Sequence, residues 1–213
     1  MQIPCKDHEY CFSFAKLRNS NTSAISHAFR YEHFNQGIFI DIFPVDNCNI
    51  SQVESNYNKI KVLIEEMSCS MRRNNKFLTA IDIERMAKFP IREQKIIFEE
   101  MDALARSSNT INSDLSIVAV NTIYDYKKTI INKKDISVFQ SVDMYGYNFP
   151  VPHGYDNILQ TIYGNYMSLP PLEKRGQWHN SVTYNPDVPY ITTLKELQLR
   201  DVQKDLHPEC FLK

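Results

Sequence analysis

With five glycines in 213 residues, the chain has too few to build a glycine-rich phosphate loop. Its five cysteines, at 5, 11, 48, 69 and 210, are odd in number and include no C-x-x-C pair. A disulfide framework or zinc ribbon is therefore not expected, and free thiols in a reducing, cytoplasmic compartment are. Excess charge is also missing. Twenty-four basic against 25 acidic residues give a formal charge of -1, no footprint for nucleic acid or an anionic membrane. No stretch approaches the ~18 to 20 apolar residues of a membrane span. The opening "MQIPCKDHEY" lacks the basic region and apolar run of a signal peptide. Repeats, low-complexity tracts and clear linkers are absent, so a single unit is expected over residues 1–213.

Hydrophobic residues make up 43% and charged residues 23%, ordinary values for a globular chain, and the order of its elements reads as α/β (α+β) with a helical middle. Residues 1–50 read as the sheet part. "YCFSFAKLRN" (10–19) alternates, with Phe12, Phe14, Lys16 and Arg18 on one side, and a short extended piece follows near Thr22 to Ile25. "GIFIDIF" (37–43), bracketed by Gly37 and Pro44, is the second strand. Residues 51–108 read as helical. Ser51 with Glu54 forms a capping box, Val53, Tyr57, Ile60, Ile64 and Met67 follow at helical spacing, and two further helices end before Pro90 and at Arg106. Residues 109–213 carry the strand "DLSIVAVNT", a strand or hairpin arm "VDMYGYNFPVP", a helix broken by Gly164, a polar Pro-marked loop over 168–190, and a last helix over 192–203.

Asp41 is the anomaly. In a strand it shares a face with Phe39 and Phe43, while Ile38, Ile40 and Ile42 share the other. An unpaired carboxylate among apolar neighbours costs several kcal/mol or becomes protonated, so it needs a lysine or arginine, backbone N–H groups, or a metal ion. Lys16 and Arg18, two apart on one strand face, could pair with it or hold a phosphate. Asp46, after Pro44, reads as a turn or cap aspartate. Asp82 and Glu84 resemble a two-metal D-x-E pair, but in a helix residues two apart point in different directions. The six histidines are scattered, and His27 and His33 lack helical ligand spacing. Near the end, "PPLEKRGQWH" gathers Lys174, Arg175, Trp178 and His179, a set able to hold a phosphate or face a cation, or simply to pin a loop through its Trp.

Four stretches, "FSFAKLRNSNT" (12–22), "GIFIDIFPVD" (37–46), "FPVPHGYDNILQTIYGNYMSLPPLEKR" (149–175) and "HNSVTYNPDVPY" (179–190), resemble the LicD family of phosphocholine transferases. Order and spacing agree, the likeness covers most of residues 10–190, and the second and third stretches are its most specific parts. The resemblance implies a partial nucleotidyltransferase-like mixed sheet with a helical insertion and C-terminal helices. It also implies a divalent metal, Mg²⁺ or Mn²⁺, and transfer of phosphocholine or a related phospho-alcohol from CDP-choline or a similar donor to a cell-surface glycan. By position Asp41 matches the third metal-side carboxylate of that fold. Lys16, Arg18, Arg175 and His179 fall in the motifs as candidate substrate-binding residues. The chain departs from the pattern in one respect: the family's Asp-x-Asp pair lies upstream of "FAKLRN", and no matching strand precedes it here. The expectation is an N-terminally incomplete LicD-like domain. A second expectation is a non-catalytic remnant of that fold that binds a glycan or a partner.

Overall fold

The computed structural model describes residues 1–3, 10, 12–26, 29–73, 78–118, 125–175 and 181–206. It is mixed α/β, with its strands in small antiparallel sheets. In chain order they run β1 (Ala15–Asn19), β2 (Ser23–Ser26), β3 (Ile38–Ile42), β4 (Val45–Asn47), α1 (Ile50–Met71), α2 (Ala80–Ala87), α3 (Gln94–Arg106), β5 (Leu115–Val118), α4 (Tyr126–Thr129), β6 (Ile130–Asn132), α5 (Lys133–Ile136), β7 (Phe139–Met144), β8 (Tyr147–Pro152), α6 (Tyr155–Tyr163), β9 (Ser181–Asn185) and α7 (Tyr190–Leu206). Among the described residues no helix is long and apolar enough to cross a membrane. Contacts divide the chain into two compact units, each assembled from separate segments: Met1–Ile42, Glu65–Phe98 and Gln177–Lys213, and Phe43–Ile64 with Glu99–Gly176. Two of the divisions fall inside α1 and α3, so no linker composition marks them.

In the first unit β1 pairs with β3, and Gln2 bridges the other side of β1 at Lys16. β2 pairs with β9, with a register shift between Ile25 and Ser26. Residues 181–185 were expected to be loop, because polar residues and prolines surround them. They form a strand because β2, far away in sequence, supplies the hydrogen-bonding edge. α7 packs on β2 through Leu194 and Thr193, and Ser23 Oγ lies 2.7 Å from Thr193 Oγ1. Arg30 and Asp201 close a buried ion pair at 3.1 Å, reinforced by Tyr31, which donates to Asp201 at 2.7 Å. Three ion pairs tie the helical segments: Arg72–Asp82, Arg85–Glu65 and Arg92–Glu66, at 3.2 to 3.3 Å. Asp82 also completes a capping box with Thr79 at the start of α2, which gives this carboxylate a structural task.

In the second unit β4, β5 and β6 form an antiparallel sheet. Ile117 and Ile131 of the sheet are buried, as are Val53, Tyr57 and Ile60 of α1 and Met101 and Ala105 of α3, the apolar stripes that helical spacing predicts, and Val53, Ala105 and Ile117 line one small cavity. α1 starts at Ile50, and its cap is Asn49 rather than Ser51: Asn49 Oδ1 accepts from the Ser51 N–H at 3.1 Å and from its hydroxyl at 2.8 Å. Asp46 belongs to β4 rather than a turn and is buried there. β7 and β8 form a two-residue hairpin turned by Tyr145 and Gly146, both with positive φ (55° and 80°), the type I′ geometry that matches strand twist.

Candidate functional site

The register of β1 and β3 builds the site. Lys16 stands opposite Asp41 and Arg18 opposite Phe39, so these four side chains share one face. Leu17, Ile38, Ile40 and Ile42 take the other face, and all four are exposed, at 51%, 37%, 68% and 43%. The half-buried face carries the phenylalanine and the charges.

Rings cover that face. Tyr10, Phe12, Phe29 and Phe34 stack edge-to-face or tilted at centroid separations of 5.1 to 5.9 Å. The Lys16 ammonium sits 3.5 Å from the Phe39 centroid, 4.9 Å from Phe14 and 5.8 Å from Phe12, and it donates to Asp41 Oδ1. The Arg18 guanidinium lies 4.8 Å from the Phe39 centroid and 5.7 Å from Phe34. Its Nε donates to Gln2 Oε1 at 2.5 Å and its Nη1 to the Gly37 carbonyl at 2.9 Å. Gly37 is required where it stands, since a Cβ there would fall 1.9 Å from the Asn19 carbonyl oxygen.

Burial dominates the electrostatics. It lowers the Lys16 ammonium from 10.5 to about 8, against the opposing pull of its hydrogen bond and charge attraction to Asp41. It lowers Arg18 to about 10, so the guanidinium stays charged at neutral pH. The face thus holds two cations and one carboxylate, a net charge of +1 beside aromatic rings.

The partner of Asp41, which pattern alone left open among cations, backbone and metal, is Lys16. One carboxylate already engaged by an ammonium is not a donor set for Mg²⁺ or Mn²⁺. Among the described residues no three His, Cys, Asp or Glu side chains gather to supply one. Of the other candidates, Arg175 belongs to the second unit, where it is exposed and its Nε donates to the Pro170 carbonyl at 2.6 Å within its own loop. His179 and Trp178 lie outside the described residues, as does the side chain of Lys174. Asp46 accepts from Asn109 Nδ2 at 2.7 Å, and burial raises its carboxyl above the ordinary aspartate range.

Three features of the site escaped the sequence pattern. Gln2 carries no local signal, since its role depends on the bridge to Lys16. The Gly37 carbonyl is a backbone group. The rings were visible as the alternation of Phe12 and Phe14 with Lys16 and Arg18, but not their service as cation–π partners. Comparison of the chain with protein-family models, curated proteins and solved structures finds no match.

Proposed function

We propose that the protein is a LicD-type phosphotransferase domain, moving phosphocholine or a related phospho-alcohol from a CDP-linked donor to a sugar hydroxyl of a cell-surface glycan. One observation carries the reading. Lys16, Arg18 and Asp41, which lie in the two stretches that resemble that family near the N-terminus, share one strand face with net positive charge. In such a transfer the acceptor hydroxyl oxygen bonds to the phosphorus of the phosphocholine group. The bond from that phosphorus to the bridging oxygen breaks, CMP leaves with both bonding electrons, and the hydroxyl proton is released. Negative charge grows on the departing CMP phosphate, and a fixed guanidinium stabilises it without reorganisation. Arg18 supplies that charge, and Lys16 neutralises Asp41. Arg175 and His179 remain proposed donor- or acceptor-side residues.

The Lys16–Asp41 pairing also favours a second reading, a non-catalytic relative that keeps the fold to bind a glycan or a partner. The two separate in one assay: CMP release from CDP-choline by purified protein, with Mg²⁺ or Mn²⁺ in the buffer and a glycan acceptor. Release that drops at least tenfold in Arg18→Ala supports the transferase. Binding of CDP-choline without turnover overturns it in favour of the binding protein.

A further inference from the structure

Arg18 and Lys16 look equivalent in sequence, two cations two residues apart on one strand, but the structure gives them different freedom. The Lys16 ammonium is committed to Asp41 and ringed by Phe39, Phe14 and Phe12. Arg18 meets no carboxylate at ion-pair distance among the described residues. Its two hydrogen-bond partners, Gln2 Oε1 and the Gly37 carbonyl, are neutral. They use Nε and Nη1. Nη2 makes no hydrogen bond to the described residues. Neutral acceptors orient a guanidinium without cancelling its charge, and its Cζ lies 4.8 Å from the Phe39 ring centroid.

The two struts are themselves rigid. Gln2 is buried, and its backbone is clamped to Lys16 by N–H to carbonyl bonds of 2.8 and 3.0 Å in both directions. The Gly37 N–H is held by Asn35 Oδ1 at 2.8 Å, and the residue packs against the Asn19 carbonyl so closely that no side chain fits. A half-buried cation held in one orientation by uncharged groups, with one nitrogen not hydrogen-bonded to the described residues, is a site suited to an anion.

We infer that Gln2 is a positioning residue, holding Arg18 with the Gly37 carbonyl so that Nη2 meets a phosphate oxygen of a diphosphate ligand, while Lys16 is not the anion ligand. The identity of that ligand as the donor's diphosphate rests on the proposed function; the anion site itself does not.

Gln2→Glu tests it. Glutamate has nearly the same shape, and its carboxylate would pair with Arg18 and cancel the free charge, so the fold should melt at the same temperature or higher. Binding of inorganic pyrophosphate, measured by calorimetry at pH 7 and low salt, should weaken at least tenfold in Gln2→Glu. It should weaken severalfold in Gln2→Ala, which frees the guanidinium to wander. A merely structural Gln2 predicts the same stability for glutamate but unchanged pyrophosphate binding. Pyrophosphate binding within twofold of wild type in Gln2→Glu overturns the inference. Should Gln2→Glu fail to fold, unchanged binding in Gln2→Ala overturns it instead. Wild-type protein that releases CMP from CDP-choline yet does not bind pyrophosphate also overturns it, while leaving the transferase reading intact. Gln2-dependent pyrophosphate binding without CMP release keeps the anion site and removes the transferase.

Discussion

Replacing Asp41 by Asn should cost stability at pH 7 and almost none at pH 9, and the size of the effect follows from Lys16. In the folded protein Lys16 loses its proton near pH 8, against 10.5 when free. The unfolded chain therefore binds more protons across that window, and the protein gains stability as pH rises through it. Asp41→Asn removes the two influences that hold the ammonium up and leaves burial and the Arg18 charge, which push it down. The folded pKa falls further, and once it lies below 7 the lysine sheds its proton. At pH 7 wild-type Lys16 is one unit below its titration point, and one unit is worth about 1.4 kcal/mol, so the added cost saturates near that value. With the lost charged hydrogen bond the deficit is about 1–2 kcal/mol at pH 7. At pH 9 Lys16 is mostly neutral in both proteins, and the charge part disappears. Urea unfolding at the two pH values reads this directly. A deficit of equal size at pH 7 and 9 would refute the pairing as the origin of the effect. A variant of unchanged stability that loses CMP release would instead return Asp41 to the metal.

Three other outcomes follow from local geometry. Gly37→Ala should destabilise by roughly 3 kcal/mol or more, because its Cβ would meet the Asn19 carbonyl oxygen at 1.9 Å, and thermal unfolding will show whether the backbone can yield. Asp46→Asn should leave stability at pH 7 unchanged or slightly raised. Burial lifts the folded carboxyl's pKa above its free value, so stability falls as pH climbs through that window, and an amide that still accepts from Asn109 escapes the loss; a clear drop at pH 7 would contradict it. Tyr145→Asn should stabilise the β7–β8 turn by about 1 kcal/mol, since Tyr145 holds φ at 55°, where asparagine before glycine is at ease; slower amide exchange in the hairpin is the readout.

What could be read from sequence divides along the range of the interactions involved. The alternation of Lys16 with Arg18 and that of residues 38–42 correctly sort which side chains share a face, because a strand's period of two is a local property; β1 begins only at Ala15, so Phe12 and Phe14 approach Lys16 from outside the strand. Which face is buried is not local. Rings of Tyr10, Phe12, Phe29 and Phe34 gather on the Asp41 side, and no periodicity within 37–43 reports them. The same reason hides β9, a polar strand given its ladder by a partner more than 150 residues away. Asp46 was misplaced because Pro44 marks a turn, whereas one residue later the chain joins β5. The partner of Asp41 was one of several the pattern allowed, and only the register shows that Lys16 stands opposite it.

The exposed aliphatic face of β1 and β3 allows the final prediction. Ile40 is 68% exposed, flanked by Ile38 and Ile42 and opposite Leu17, and an exposed aliphatic side chain contributes little by burial. Ile40→Thr keeps the β-branch that suits a strand and removes apolar surface. Stability should therefore stay within about 0.5 kcal/mol of wild type, the ordinary range for surface substitutions. Solubility should rise, because a row of aliphatic side chains on an accessible strand pair invites association. Light scattering at rising protein concentration checks the second expectation and urea unfolding the first. A loss of 2 kcal/mol or more would mean that the face is covered in solution. The burial pattern that assigns the charged face to the interior of this strand pair would then have to be redrawn, together with the argument that Lys16 titrates near pH 8 because its own side is the buried one.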